Sequence, residues 1–232
     1  MTHANENRFF AALAAVLLVF VFAGFAPSYY FRADDLSPLS TLFLAHGAVL
    51  SSWYVLATTQ PLLIVGGRNR LHRLSGFAGL GLAIAVAVSG LAAGADAMAR
   101  GVGIAGREPQ TFFFLSVADA SLFVALVGAA LLCRHDRSAH KRLMTIASIS
   151  ILFPALGRLA VTLGLDGAVA VIPYAALLAS VAMFDAAALG RIHPATIAAG
   201  GAALAKITLY LPVGESALWK RAVEISRLSV GG

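Results

Sequence analysis

The chain has 232 residues, 59% of them hydrophobic and only 12% charged, with a mean hydropathy of +0.85. Soluble domains carry about 25% charged residues, so this composition excludes an ordinary water-soluble fold and makes the lipid bilayer the solvent. A formal charge of +6 would suit a nucleic-acid partner in a soluble protein, but here the basic residues lie in short segments between apolar runs. They read as topology signals, and no nucleic acid is expected. The single cysteine, Cys133, excludes an internal disulfide and any multi-cysteine metal or iron–sulfur site.

Crossing about 30 Å of hydrocarbon takes about 20 helical residues. Seven apolar runs of that order, near 9–26, 39–65, 74–98, 110–133, 143–163, 168–190 and 195–213, predict an all-α integral membrane bundle of seven spans. The first run follows Arg8, is long for a leader core and is followed by Pro27, so it is expected to remain as span 1. With a cytoplasmic N-terminus, the inner side receives Arg8, Arg68, Arg70, Arg73, Arg134, Arg137, Lys141, Arg142 and Arg191, and the outer loops receive only Arg32, Arg100 and Arg107. The positive-inside rule therefore places the N-terminus inside a bacterial-type inner membrane and the end of span 7 outside.

Residues 1–213 form the transmembrane domain, with core spans over 39–163, and 214–232 form a tail. In that tail Ser216 is a candidate N-cap, and Leu218, Trp219, Ala222 and Ile225 oppose a face carrying Lys220, Arg221 and Arg227. The pattern predicts an amphipathic helix lying in the membrane interface. Small residues are dense in span 3, at Gly76, Gly79, Gly81, Gly90 and Gly94, where they would let helices approach closely.

An ionisable group inside a span costs about 2.5–3.5 kcal/mol on the insertion scale, so each one needs a partner or a role. His46, Asp119, Arg158 and Tyr174 stand on spans 2, 4, 5 and 6 in one layer, roughly 8–13 Å below the outer boundary at 1.5 Å per residue. An Asp119–Arg158 pair completed by His46 and Tyr174 would make a polar pocket for a small molecule, a quinone head group or a proton path; a purely structural ion pair is the other reading. Pro154, four residues before Arg158, lacks the amide that would bond the Ser150 carbonyl, and a kink there would open the pocket. His46, Trp53 and Gln60 recur at seven-residue intervals and are expected to face the bundle interior. Asp185 and Lys206, nearer the inner side, are expected to pair.

A second cluster lies at the cytoplasmic boundary, where His72-Arg73 opens span 3, His140-Lys141-Arg142 opens span 5 and Arg191-Ile192-His193 closes span 6. His72 and His140 enter from the same side at matching positions and could bind one haem iron axially, with Arg73 and Arg142 near the propionates. Alternatively, all three histidines are interface residues beside ordinary positive-inside charges. His135 and His3 read as solvated.

The segment from His46 to Gly90 carries a His opening a helix, Gln60 near its end, an Arg-containing loop, His72-Arg73-x-x-Gly76 and a later glycine. Residues 140–159 carry His140 followed by a basic residue and Met144, with Arg158 near the far end. Both runs resemble the signatures of an uncharacterised family of bacterial polytopic membrane proteins, a resemblance that implies a multi-pass fold and no particular activity. More distantly, the chain resembles transmembrane two-haem cytochromes b that pass electrons from ascorbate. In those, four central helices hold one haem near each membrane face. That resemblance implies haem b between His72 and His140 at the inner side, with His46 at the outer one. The chain departs from it on span 4, where Asp119 stands at the comparable depth, which leaves the second haem without a pair of ligands.

Three functions follow from these residues. One is electron transfer through a single b-type haem, with the outer pocket serving a quinone or other reductant. Another is a non-redox carrier or membrane enzyme whose pocket binds a small polar ligand. The third is an assembly or scaffold subunit with a protein partner or a second copy of itself. No phosphate-binding loop, nucleophile motif or His-x-x-x-His cluster occurs in the sequence, which points away from a hydrolase or a nucleotide-driven pump. The topology makes a direct prediction: single cysteines placed at Asn69 and Ser138 in a Cys133-free background stay unmodified by an impermeant thiol reagent in intact cells, and labelling of either from outside would reverse the orientation.

Overall fold

In the computed structural model the main chain is described for residues 3–33, 39–103 and 107–230, and side chains for the same residues except His3 and 226–230. The side chain of Arg227, placed on the basic face of the tail, and that of His3, expected to be solvated, thus lie outside the described residues. Among the described residues nine α-helices follow in chain order: α1 His3–Phe25, α2 Thr41–Val65, α3 Asn69–Ala99, α4 Pro109–Leu132, α5 Arg137–Ser150, α6 Phe153–Thr162, α7 Val171–Leu189, α8 Pro194–Gly214 and α9 Ala217–Val230. A π-helical turn, Ala26–Tyr30, extends α1, and a 3-10 turn, Gly167–Ala170, precedes α7. Among the described residues there are helices and no strands.

Six of these segments are long and apolar enough to cross a membrane singly, and α5 with α6, bent by 45° at the break between them, brings the number to seven when the pair counts as one span. The chain is therefore a multi-pass α-helical membrane protein. The bend falls where proline chemistry puts it: Pro154 enters the first turn of α6, where its missing amide is no loss, and the helical ladder stops at Ser150. Downstream of a short loop, α5 starts on a capping carboxylate, Asp136, which accepts the amides of Ser138 at 2.9 Å and Ala139 at 3.0 Å. Those amides, Ala139's foremost, hold the Asp136 carboxyl below its ordinary range, so the cap acts at neutral pH and is lost as acid protonates it.

Four helices form a ring, with α2 packed on α3 and α5, and α4 packed on α3 and α5, so that α3 and α5 stand on one diagonal. Its centre is filled by Trp53 of α2 edge-on to Phe123 of α4, with ring centroids 4.8 Å apart. Around the ring, α1 packs against α2 and α6, and α8 packs against α4 and α5. The α1–α6 contact depends on Gly24, where a Cβ would collide with the backbone of Ala155. Of the span 3 glycines, Gly94 and Gly79 sit at close approaches, against Ser116 and Leu56, whereas Gly76 and Gly81 face open space. The expectation of close packing thus holds for part of that stripe.

The stripe on α2 does face inward. His46 bonds Ser89, Trp53 donates to Ser148 Oγ at 3.2 Å, and Gln60 donates to Ser75 at 2.7 Å. In the tail, Ser216 caps α9 by accepting the Trp219 amide. Trp219 turns toward the bundle, donating to the Gln110 carbonyl at 2.8 Å and packing on Phe113 and Phe114. Leu218 and Ile225 point outward, at 82% and 64% exposure, which leaves the apolar face to the surroundings and corrects only the place of Trp219.

Candidate functional site in the outer half of the bundle

The bend between α5 and α6 borders a cavity of about 310 Å³ whose walls are mostly apolar. With the end of the bundle at which α1 starts termed inner and the opposite end outer, the cavity is lined by the end of α1 and its π turn, by the outer halves of α2, α3 and α4, and by α6. His46 of α2, Asp119 of α4 and Arg158 of α6 all reach it, as the depth argument predicts. Tyr174 does not line it. That ring is buried behind the cavity, against Phe153 and Lys206, with its hydroxyl 3.4 Å from the Ala203 carbonyl. The rim includes Tyr29, Tyr30 and Arg32, none of which the sequence marked. Tyr29 donates to the Leu44 carbonyl at 2.7 Å and lays its ring where a Cβ at residue 47 would be, so Gly47 is what lets α1 close on α2. Tyr30 and Ser51 are joined by a 2.5 Å hydrogen bond.

The expected Asp119–Arg158 pair does not form, and neither does Asp185–Lys206. Lys206 crosses from α8 to bond Asp119 and the Ser150 carbonyl. That carbonyl is the one Pro154 strands, so a single ammonium neutralises the acid and repairs the break. The partners were exchanged because depth ranks residues along the membrane normal but does not say which helices touch, and α8 packs directly on α4. Asp185 instead lies fully buried with Arg142, whose Nε and Nη2 donate to it at 2.8 and 2.5 Å. Its other oxygen accepts Thr196 Oγ1 at 2.5 Å and the His193 amide at 3.1 Å. Arg142 also donates to Glu6 at 2.7 Å, and Lys141 reaches Glu6 and Asn7. This network ties α1, α5, α7 and α8 together at the inner end. It consumes Arg142, which corrects the assignment of that residue to a haem propionate; Arg73 remains exposed.

Arg158 is left in a different state. Its guanidinium is partly buried, lies over the Phe25 ring at 4.8 Å and makes one long contact, 3.5 Å, to the Pro154 carbonyl. Among the described residues no carboxylate pairs with it.

At the inner end, His140 Nδ1 donates to the Ala130 carbonyl at 2.8 Å, which fixes its ring and frees Nε2. Metal-ligating histidines are held in this way by their second nitrogen. The Nδ1 of His72 is buried without a hydrogen-bond partner among the described residues. The donor set thus suits two axial imidazoles. Among the described residues no cluster of three or more His, Cys, Asp or Glu side chains is arranged for a metal ion.

No known family, curated protein or solved structure matches this chain. What the fold and site define is a class: a multi-pass helical membrane protein with a mixed polar and apolar cavity beside a broken helix.

The exchanged pairs are testable by double-mutant cycles of stability in detergent. Asp119→Asn or Lys206→Met alone is expected to cost about 3–5 kcal/mol, and the two together clearly less than the sum. The Asp119/Arg158 cycle, by contrast, is expected to be additive within about 0.5 kcal/mol. Coupling in the second cycle and none in the first would restore the original pairing.

Proposed function

We propose that this protein, seated in a bacterial inner membrane with its N-terminus inside, binds a small amphipathic molecule in the outer half of the bundle as a carrier or membrane enzyme. The observation that carries the reading is the cavity itself, which joins apolar walls to three convergent polar groups, His46, Asp119 and Arg158. Ligand sites combine a largely apolar lining with a few placed polar groups in this way. Its volume, about 310 Å³, lies at the lower end of the range for small-molecule pockets. The walls would hold the apolar body while the head group reaches the buried cation. Gly90 lies on α3 beside His46, where a Cβ has ordinary room, so Gly90→Phe is expected to fill the cavity without disturbing the backbone. Thermal stabilisation of the purified wild type by medium-chain amphiphiles, absent in Gly90→Phe, is the expected result. Equal stabilisation of both proteins would place binding elsewhere.

A second reading is electron transfer through one haem b, favoured by the orphaned Nδ1 of His72 and the oriented ring of His140. His72 and His140 would hold the iron, on the diagonal helices α3 and α5, with Arg73 the basic residue left for a propionate. When bound, the group would supply one-electron chemistry; the outer cavity would then serve a quinone. Protein from haem-replete cells is expected to show the sharp reduced-state bands of a six-coordinate b-type haem, lost or converted to high spin in His72→Ala and His140→Ala alike. A colourless preparation that resists reconstitution would remove the redox reading and leave the cavity reading intact.

A further inference from the structure

We infer that the ligand of the outer cavity is an anion, a carboxylate or phosphate-type head group on an apolar body, and that Arg158 is its counter-ion. The inference rests on the reading of the cavity as a binding site and names the class of molecule that enters it.

The comparison that leads to it is internal to the molecule. Three other cations are drawn into the helix layer, and each meets a carboxylate: Lys141 meets Glu6, Arg142 meets Asp185 and Glu6, and Lys206 meets Asp119. Among the described residues Arg158 meets none, and its contacts, one ring face and one long bond to a carbonyl, leave most of its five donors unused. Burying a cation in a low-dielectric layer is costly unless it is paired, and an arginine cannot escape the cost by losing its proton. None of the described residues supplies that partner, and the open volume beside the guanidinium leaves room for a ligand to do so.

The acid on the cavity wall is accounted for within the chain. Of the two described groups placed here on its wall, Asp119 is already paired with Lys206, whereas Arg158 meets no carboxylate among the described residues. A planar guanidinium with free paired donors suits a carboxylate or phosphate oxygen pair. The apolar walls, among them Leu50, Val86 and Phe123, suit an alkyl or aromatic body.

Two sources share this chemistry: a free amphiphilic carboxylate and the head group of an anionic lipid. The test measures affinities of the full-length protein in uncharged micelles for dodecanoate, for dodecanol and for an uncharged decyl quinone analogue. Dodecanoate is expected to bind at least about tenfold tighter than dodecanol, the size of one charge-assisted interaction. Arg158→Gln is expected to erase that preference and Arg158→Lys to keep most of it. Equal affinity for dodecanoate and dodecanol in the wild type overturns the inference, and this arm needs no Arg158 variant to fold. If uncharged probes bind without charge preference and Gly90→Phe excludes them, the cavity reading stands and the anion inference falls. If no probe binds, both fall. Native mass spectrometry of protein taken from vesicles of phosphatidylglycerol and phosphatidylcholine then separates the sources. Phosphatidylglycerol retained by the wild type and lost from Arg158→Gln makes the occupant a membrane lipid. Equal retention, with dodecanoate binding still dependent on Arg158, makes it a free carboxylate.

Discussion

Inside hydrocarbon a backbone carbonyl has no water to turn to, and each one left bare costs several kcal/mol, so a helix broken in mid-membrane must find partners for the groups it exposes. The end of α5 meets this constraint carbonyl by carbonyl. That of Ala147 accepts the Ser150 hydroxyl at 2.8 Å, that of Ser148 accepts the Tyr54 hydroxyl at 2.8 Å, and that of Ile149 accepts the Leu152 amide at 3.0 Å. The fourth, on Ser150, takes Lys206. Satisfying one backbone group therefore brought a lysine into the membrane layer, and the lysine in turn made room for Asp119 as a carboxylate beside the cavity. The bend at Pro154, the Lys206–Asp119 pair and the cavity thus stand side by side in the bundle.

The two ends of the bundle handle charge differently. At the inner end Glu6, Arg142 and Asp185 close a network with every strong donor and acceptor engaged, an arrangement suited to holding four helices in register. A buried network of this kind is weak evidence for stability by itself, but once formed it penalises any other pairing of those helices. At the outer end the pairing is incomplete, with Arg158 facing open volume. A cation that meets no carboxylate among the described residues, beside a cavity, is the part of this structure that packing alone does not explain.

The central ring carries a related division of labour. Trp53 and Phe123 fill the space between α2 and α4, and Phe123 also forms part of the cavity wall. Their hydrophobic bulk anchors the ring, while the hydroxyls of Tyr54 and Ser150 and the indole of Trp53 spend their polarity on the broken end of α5. Aromatic residues with one polar atom serve well in such places because each can fill volume and complete a hydrogen bond together.

The membrane class, six of the seven expected spans, the break at Pro154, the inward stripe of His46, Trp53 and Gln60 and the cap at Ser216 could all be read from the sequence, because each depends on local periodicity, span length or one residue's backbone chemistry. The layer containing His46, Asp119 and Arg158 could be read as well, since rise per residue converts position into depth. Which acid meets which base could not. Lys206 belongs with Asp119, and Arg142 with Asp185 and Glu6, because of how α8, α4, α5, α7 and α1 are arranged around one another, and depth along the normal carries no information about azimuth. Glu6 gave no signal because it precedes the first apolar run and resembles any solvated terminal residue. Tyr29 and Tyr30 were hidden for a similar reason, since only the closure of α1 onto α2 over Gly47 makes them a rim. Tyr174 shared the depth of the pocket residues yet turned to another face of its helix, a choice made by packing against Phe153 and Ala203 that only the tertiary structure decides.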